Sequence, residues 1–332
     1  FLRPLGLRLG ILATGSIANK FALTVCSMDS REASLAAVGS RKMDSAREFA
    51  EKYHIPAFYD SYEAMVADPQ VEAVYISTPN NMHYENCKMC LNAGKHVLCE
   101  KPFTTGVAQA EELYRLAEEK GLFIMEAFWI RFLPQLQHMM GLIAQGVIGE
   151  VRHARCEYGF IAQGARKIRK FNSDLGGGAL LDIGIYNLGF LHMVMGQAPV
   201  SFESNVHMSE YGTDDFSAVS LTYPGGRSAH AVQAIGMDLG RAAAVFGTRG
   251  AIWLPDFQMA RTMTVTPYGG QPYEVSLPWE INGFEYQIRE VDRCVRAGMN
   301  TSDILKPADS LTVLRLMDEI RESWGMKFSY ET

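Results

Sequence analysis

Two short stretches of this 332-residue chain carry side chains that can move a proton. In HVLCEKPFTTG, residues 96–106, Glu100, Lys101 and Pro102 follow one another where an apolar strand stops and a polar turn begins. A lysine in a partly desolvated cleft gives up its proton more readily than one in water, and can share proton transfer with a reacting hydroxyl. Pro102 keeps Lys101 out of the helical region, which sets the direction of the side chain at the strand end. In LGGGALLDIGIYNLGFL, residues 175–191, Asp182 and Tyr186 stand four residues apart, on one face of the helix expected after Gly176, Gly177 and Gly178. A phenol with an ordinary pKa of about 10 is a poor base at neutral pH, so Tyr186 needs a nearby cation to act as one.

A third stretch can hold phosphate. GILATGSIA, residues 10–18, follows an apolar strand and opens a helix. The dinucleotide fingerprint asks there for G-x-G-x-x-G/A: a tight turn, a close backbone approach to pyrophosphate, and close helix packing. The three slots read Ala13, Gly15 and Ala18, so the middle glycine is kept and the first is replaced. The backbone N–H groups of Gly15, Ser16, Ile17 and Ala18 would face the pyrophosphate at the helix N-terminus. At the end of the second strand, where NAD binders place Asp or Glu, the chain has Ser40, Arg41 and Lys42. Two cations and a hydroxyl suit a 2'-phosphate, so NADP is expected over NAD, with Asp44 close by in sequence.

The elements that must position these groups can be read from hydrophobic pattern. LRLGILA, SLAAVGS, VEAVYIS, GKHVLCE and GLFIMEA are short apolar runs separated by helical patterns, which predicts a parallel, doubly wound α/β sheet. Ligands of such sheets lie off the carboxyl ends of the strands, where Gly15, Arg41, Thr78 and Lys101 fall. Beyond about residue 150 the runs are strand-like and joined by Gly- and Pro-containing turns, the pattern of a mainly antiparallel sheet. The expectation is a Rossmann domain over residues 1–127 and an α+β domain over 128–332, with the C-terminal helix packing back on the first domain. Asp214 and Asp215 read as turn residues between two strands.

Composition excludes several classes of function. A net charge of -6 gives no basic stripe for nucleic acid or an anionic membrane. No apolar run approaches the ~20 residues of a bilayer span, and a cytosolic location is expected. The six cysteines are scattered, and Cys87 and Cys90 would sit on the buried face of a helix. The eight histidines lack paired ligand spacing, so no catalytic metal is expected. Apolar positions in SAHAVQAIGM and RAAAVFGTRGAIWLP exceed what one sheet face buries, which predicts a homodimer through that sheet.

The segments STPNNMHYENC (77–87), AGKHVLCEKPFTTG (93–106), MEAFWIRFLP (125–134) and the Gly-rich run above resemble, in order and spacing, the Gfo/Idh/MocA oxidoreductases over almost the whole chain. EAFWIRF and GGGALLDIGIY look most like the branch of dimeric dihydrodiol dehydrogenase and glucose-fructose oxidoreductase. The resemblance implies NAD(P)-dependent hydride transfer at a secondary alcohol or carbonyl of a sugar, polyol or cyclic trans-diol. It also implies roles. Thr78, Asn80 and His83 would lie along the ribose and nicotinamide. Glu100 and Lys101 would touch the ribose, with Lys101 also at the reacting hydroxyl, and Trp129 and Arg131 would approach the nicotinamide. Arg169, Asp182 and Tyr186 would face the substrate. Many members have histidine at the slot of Tyr186. Tyr186 is then acid/base with Lys101 as its electrostatic partner, or the two roles are reversed. A non-catalytic sensor on the same fold is the alternative; it has no need of an acid/base pair.

Overall fold

The computed structural model describes residues 6–331. The chain forms two compact units: residues 1–129 with 280–307, and residues 130–279 with 308–332.

The first unit alternates strand and helix: β1 (Leu7–Leu12), α1 (Ser16–Ser27), β2 (Ala33–Gly39), α2 (Met43–Tyr53), β3 (Ala57–Tyr59), α3 (Tyr62–Val66), β4 (Ala73–Ile76), α4 (His83–Asn92), β5 (His96–Glu100), α5 (Val107–Lys120) and β6 (Ile124–Ala127). Among the described residues its sheet has six strands in the order β3-β2-β1-β4-β5-β6, all parallel. β4, β5 and β6 are buried almost throughout, as strands with helices on both faces must be. Cys87 and Cys90 are buried in α4. The five expected strands are present; β3 is a three-residue edge strand too short to leave a hydrophobic pattern.

The second unit holds α6 (Pro134–Ala144), β7 (Val151–Ile161), α7 (Ala165–Phe171), a π-turn over Leu180–Gly184, α8 (Ile185–Met195) and eight further strands. These are β8 (Ser201–Met208), β9 (Asp214–Tyr223), β10 (Arg227–Ala234), β11 (Gly236–Gly240), β12 (Ala243–Gly247), β13 (Gly250–Leu254), β14 (Thr262–Pro267) and β15 (Tyr273–Ser276). The main path runs β15-β14-β13-β12-β7-β10-β9-β8, with β11 on β7. All pairs are antiparallel except β7 with β10. One face packs on α8, every residue of which is buried except His192. The helical stretch Ser173–Met195 is long and apolar enough to cross a bilayer, contrary to the expectation that no run is; 89% of its apolar 18-residue window is buried, as in a core helix.

The domain boundaries depart from expectation near the C-terminus. α9 (Glu285–Arg296) belongs to the first unit, where Arg289 pairs with Glu32 at 2.9 Å and Asn282 accepts from the Thr24 hydroxyl at 3.0 Å. α10 (Pro307–Ser323) groups with the second unit instead of the first. There His192 on α8 meets Asp309 at 3.0 Å, and the Trp324 indole N–H donates to Ser204 on β8 at 2.8 Å. These long-range polar contacts carry no sequence periodicity, so a pattern reading cannot place the two helices.

Candidate active site

The expected site residues divide between the two units: Gly15 through Trp129 belong to the first, and Arg131, Arg169, Asp182 and Tyr186 to the second.

In the first unit the phosphate turn takes the expected shape in spite of Ala13. Ala13 adopts φ 76°, the left-handed conformation that glycine takes freely, and its N–H bonds to the Gly39 carbonyl at 2.9 Å. An alanine there costs about 1 kcal/mol or more, held by the surrounding sheet. Gly15 has an ordinary φ of -72°, and a Cβ on it would meet no protein atom within 4 Å. The fold therefore does not require glycine at 15; a closely approaching ligand backbone or phosphate would. Exposed Ser16, half-buried Ile17 and buried Ala18 open α1, which has neither a side-chain cap nor an acid in its first turn. Free N–H groups at the positive end of a twelve-residue helix fit a pyrophosphate.

Ser40 is buried at the end of β2, and Arg41 and Lys42 are exposed. Burial raises the pKa of the Tyr62 phenol, and the nearby Arg41 charge opposes it. Asp44, mostly exposed, is 3.7 Å from Arg47 on the same helix.

After β4, Thr78 is buried and its hydroxyl accepts from Asn86 at 2.8 Å; half-buried Asn80 follows. His83 departs from the expected cofactor contact. It is fully buried, with Nδ1 2.8 Å from the Pro102 carbonyl and Nε2 3.0 Å from the Thr78 carbonyl. The ring is wedged between the carbonyls of the two turns, donating through the nitrogen that carries a proton.

Glu100 ends β5 almost fully buried. Its Oε1 accepts from the Tyr75 hydroxyl at 2.6 Å and its Oε2 from the Lys101 N–H at 3.2 Å. Burial raises the carboxyl above its ordinary pKa, opposed by the Tyr75 bond and by Lys101 and Lys20. Lys101 is half-buried, before a cis bond to Pro102. Trp129 is buried against Phe284, with the Lys20 ammonium 4.4 Å and 4.1 Å from the two ring centroids. Burial lowers Lys20 to about 8, with Glu100 and Glu285 opposing. Lys20 and Tyr75 were missed by the sequence reading, since a lysine inside a helix and a tyrosine inside a strand read as surface and core.

In the second unit Asp182 falls inside the π-turn, and Tyr186 lies just beyond it in α8. This departs from a plain α-helix, because a π-turn inserts one extra residue and is not visible in apolar spacing. Tyr186 is buried, 6.1 Å from the Tyr158 ring. The Asp182 carboxylate is held by Lys170, whose ammonium also lies 4.9 Å from the Phe160 ring. Arg169, expected at the substrate, is exposed on the short helix α7, and its half-buried neighbour Lys170 pairs with Asp182. Arg131 is 4.0 Å from Asp309, and burial lowers its pKa.

The three glycines before Asp182 have separate reasons. A Cβ on Gly177 would be 2.6 Å from the Lys170 carbonyl oxygen, and one on Gly178 2.3 Å from Asp214 Oδ1. Gly176 ends a short 3-10 turn at φ 70°. Asp214 is no turn residue: it begins β9 fully buried and accepts the Leu180 N–H at 2.8 Å. Burial pushes its carboxyl up to about 7. Its neighbour Asp215 pairs with His207 at 2.7 Å.

Residues 7–128 match the family model "Oxidoreductase family, NAD-binding Rossmann fold", and residues 136–253 match the "GFO/IDH/MocA C-terminal domain". Trans-1,2-dihydrobenzene-1,2-diol dehydrogenase of Mus musculus is 36% identical over 335 residues, covering 98% of each chain. Two solved structures superpose closely. Aldose-aldose oxidoreductase from Caulobacter crescentus, complexed with glycerol, has a TM-score of 0.87 at 26% identity, covering 96% of this chain and 97% of its own. A 3-ketoreductase from Actinomadura kijaniata, solved with NADP and TDP-benzene, has a TM-score of 0.86 at 27% identity with the same coverage. With both domain models in order and full-length similarity at this level, the chain is a member of the Gfo/Idh/MocA oxidoreductase family.

Proposed function

We propose that the protein is an NADP-dependent dehydrogenase or reductase that interconverts a secondary alcohol and a ketone on a cyclic trans-diol, sugar or polyol. The carrying observation is the acid/base unit of Asp182 and buried Tyr186 in a chain that also has a dinucleotide cradle. A sensor needs the cradle and has no use for the acid/base unit. The dihydrodiol relative, similar over its full length, supports a trans-diol. The aldose-aldose oxidoreductase keeps sugars within the class, and the 3-ketoreductase supports exchange between ketone and alcohol.

Gly15, Ser16, Ile17 and Ala18 hold the pyrophosphate through backbone N–H groups, and Ser40, Arg41 and Lys42 hold the 2'-phosphate. Exposed Arg41 and the pairing of Asp44 with Arg47 favour this cofactor, since neither places a carboxylate against a 2'-phosphate. Thr78, Asn80 and Glu100 line the ribose, and Trp129 bounds the nicotinamide end. NADP, when bound, accepts the hydride from the carbinol carbon. Tyr186 takes the hydroxyl proton as the C–O bond becomes a carbonyl, and Lys101 favours the phenolate that must form first. Asp182, fixed by Lys170, orients the substrate's second hydroxyl.

The outward face of the nine-stranded sheet carries exposed Trp253 and the ring group of His153, His230 and Phe246. A second copy of the chain covers this face in a homodimer.

The test is a panel of trans-1,2-dihydrobenzene-1,2-diol, aldoses and inositols with NADP or NAD, read by the absorbance of the reduced cofactor. Turnover of a diol or aldose with NADP is expected. Tight cofactor binding with no substrate oxidised or ketone reduced would sink this reading in favour of a sensor.

A further inference from the structure

Four polar side chains with no solvent exposure lie together where α8 packs on the sheet: Asn187, Asp214, Ser217 and Gln233. Their bonds run in one direction. Asn187 Nδ2 donates to Gln233 Oε1 at 3.0 Å, Gln233 Nε2 donates to Ser217 Oγ at 2.8 Å, and the Ser217 hydroxyl reaches Asp214 Oδ2 at 3.4 Å. Gln233 and Ser217 are direct cross-strand partners on β10 and β9. Asn187 also donates to the Val232 carbonyl at 2.9 Å, and Asp214 accepts the Leu180 N–H.

The two ends of this chain of bonds touch the backbone or side chains on either side of the acid/base unit. Leu180 is two residues before Asp182, and Asn187 is one residue after Tyr186. The π-turn starts at Leu180 and ends at Gly184, two residues before Tyr186, and interrupts the regular i→i−4 helical ladder. Gly184, in the middle, lies against Gln233, 3.4 Å from where its Cβ would be. Burying four polar groups among apolar side chains is costly even when they are satisfied, and apolar residues of similar volume would serve packing as well. Packing alone therefore does not account for the network.

We propose that Asn187, Asp214, Ser217 and Gln233 are positioning residues that anchor the segment from Leu180, where the π-turn starts, to Asn187 in α8, and hold Asp182 and Tyr186 in their reactive placement without touching substrate. This rests on the reading of Tyr186 as acid/base. The clamp acts on turnover through geometry, since a displacement of about 1 Å at a reacting group can cost roughly a hundredfold in rate.

The test uses the full-length protein with NADP and trans-1,2-dihydrobenzene-1,2-diol, well below the melting temperature of every variant. Gln233→Leu and Ser217→Ala each lower kcat about tenfold to a hundredfold while leaving KM for NADP within about twofold. Asp214→Leu behaves likewise, and Asp214→Asn, which keeps an acceptor for Leu180 and Ser217, recovers most of the turnover. If Gln233→Leu does not fold, Ser217→Ala decides the matter, because it removes one oxygen from the middle of the chain. Lower melting temperatures with unchanged kcat would show a purely structural network and overturn the proposal. Tyr186→Phe in the same assay separates the two readings. Full turnover in Tyr186→Phe overturns the acid/base assignment and the clamp together. Loss of turnover there, with normal kcat in the network variants, overturns the clamp alone.

Discussion

Tyr75 donates a 2.6 Å hydrogen bond to Glu100, from the middle of β4 to the end of β5, with both side chains buried. The phenol ring stacks on Phe21 of α1 at 3.7 Å between centroids, so packing fixes the donor independently of the carboxylate. The acid that adjoins Lys101 is thus held in place from inside the sheet.

Tyr75→Phe keeps the stack and removes the donor. The variant leaves a buried carboxylate oxygen without this partner and is expected to lose ~1–3 kcal/mol of stability. Urea unfolding of the two proteins checks this; a difference below about 0.5 kcal/mol would contradict the assigned bond.

Asp214 links stability to pH. Its folded pKa of about 7 lies above the unfolded value of about 3.9, so its contribution is full below the unfolded value and is lost as pH rises, disappearing above about 7. In that window the slope is up to ~1.4 kcal/mol per pH unit. Asp214→Asn has no such slope. The stability of the variant relative to wild type should therefore grow between about pH 4 and 7 and level off beyond, measured by melting temperature at a series of pH values. A constant difference across the window would contradict the buried, protonated carboxyl.

Arg41→Asp exchanges attraction to a 2'-phosphate for repulsion. Affinity for NADP should fall about tenfold to a hundredfold, the loss of a ~1.5–3 kcal/mol charge-assisted bond, and affinity for NAD should improve. Fluorescence titration with each cofactor reads the change; a wild type that prefers NAD, with no effect of the variant, would remove the basis for NADP.

Lys101→Met and Tyr186→Phe should each cut kcat by about 10²–10⁴. On the proposal that the two groups serve one proton transfer, the double variant should lose far less than the product of the single losses. Multiplying losses in steady-state assays would show that they act separately.

The proposed dimer is checked by light scattering at micromolar concentration. Trp253→Glu on the outward sheet face should give monomers where the wild type gives dimers, by burying an unpaired charge in the interface. A monomeric wild type would dismiss the assembly.

Elements whose side chains repeat along the chain were legible before any coordinates. Five of the six parallel strands, the change to an antiparallel sheet and the phosphate turn followed from apolar period and glycine position, because local backbone geometry is written in neighbouring residues. The EKP and Gly-rich runs were legible for the same reason. Tertiary structure alone decided the remainder. Ala13 takes a conformation that its residue type disfavours because the sheet enforces it. Lys170, which the sequence did not single out, meets Asp182, since a single step along a short helix changes which side chain points inward. His83 reaches the Pro102 carbonyl 19 residues away, and Asp214 supports Leu180 from 34 residues away. Such contacts join residues distant in sequence, and their energies depend on burial, which no local pattern encodes. For the same reason the buried network of Asn187, Ser217 and Gln233 reads in sequence as ordinary strand and helix residues, and only their common exclusion from water gives them a role.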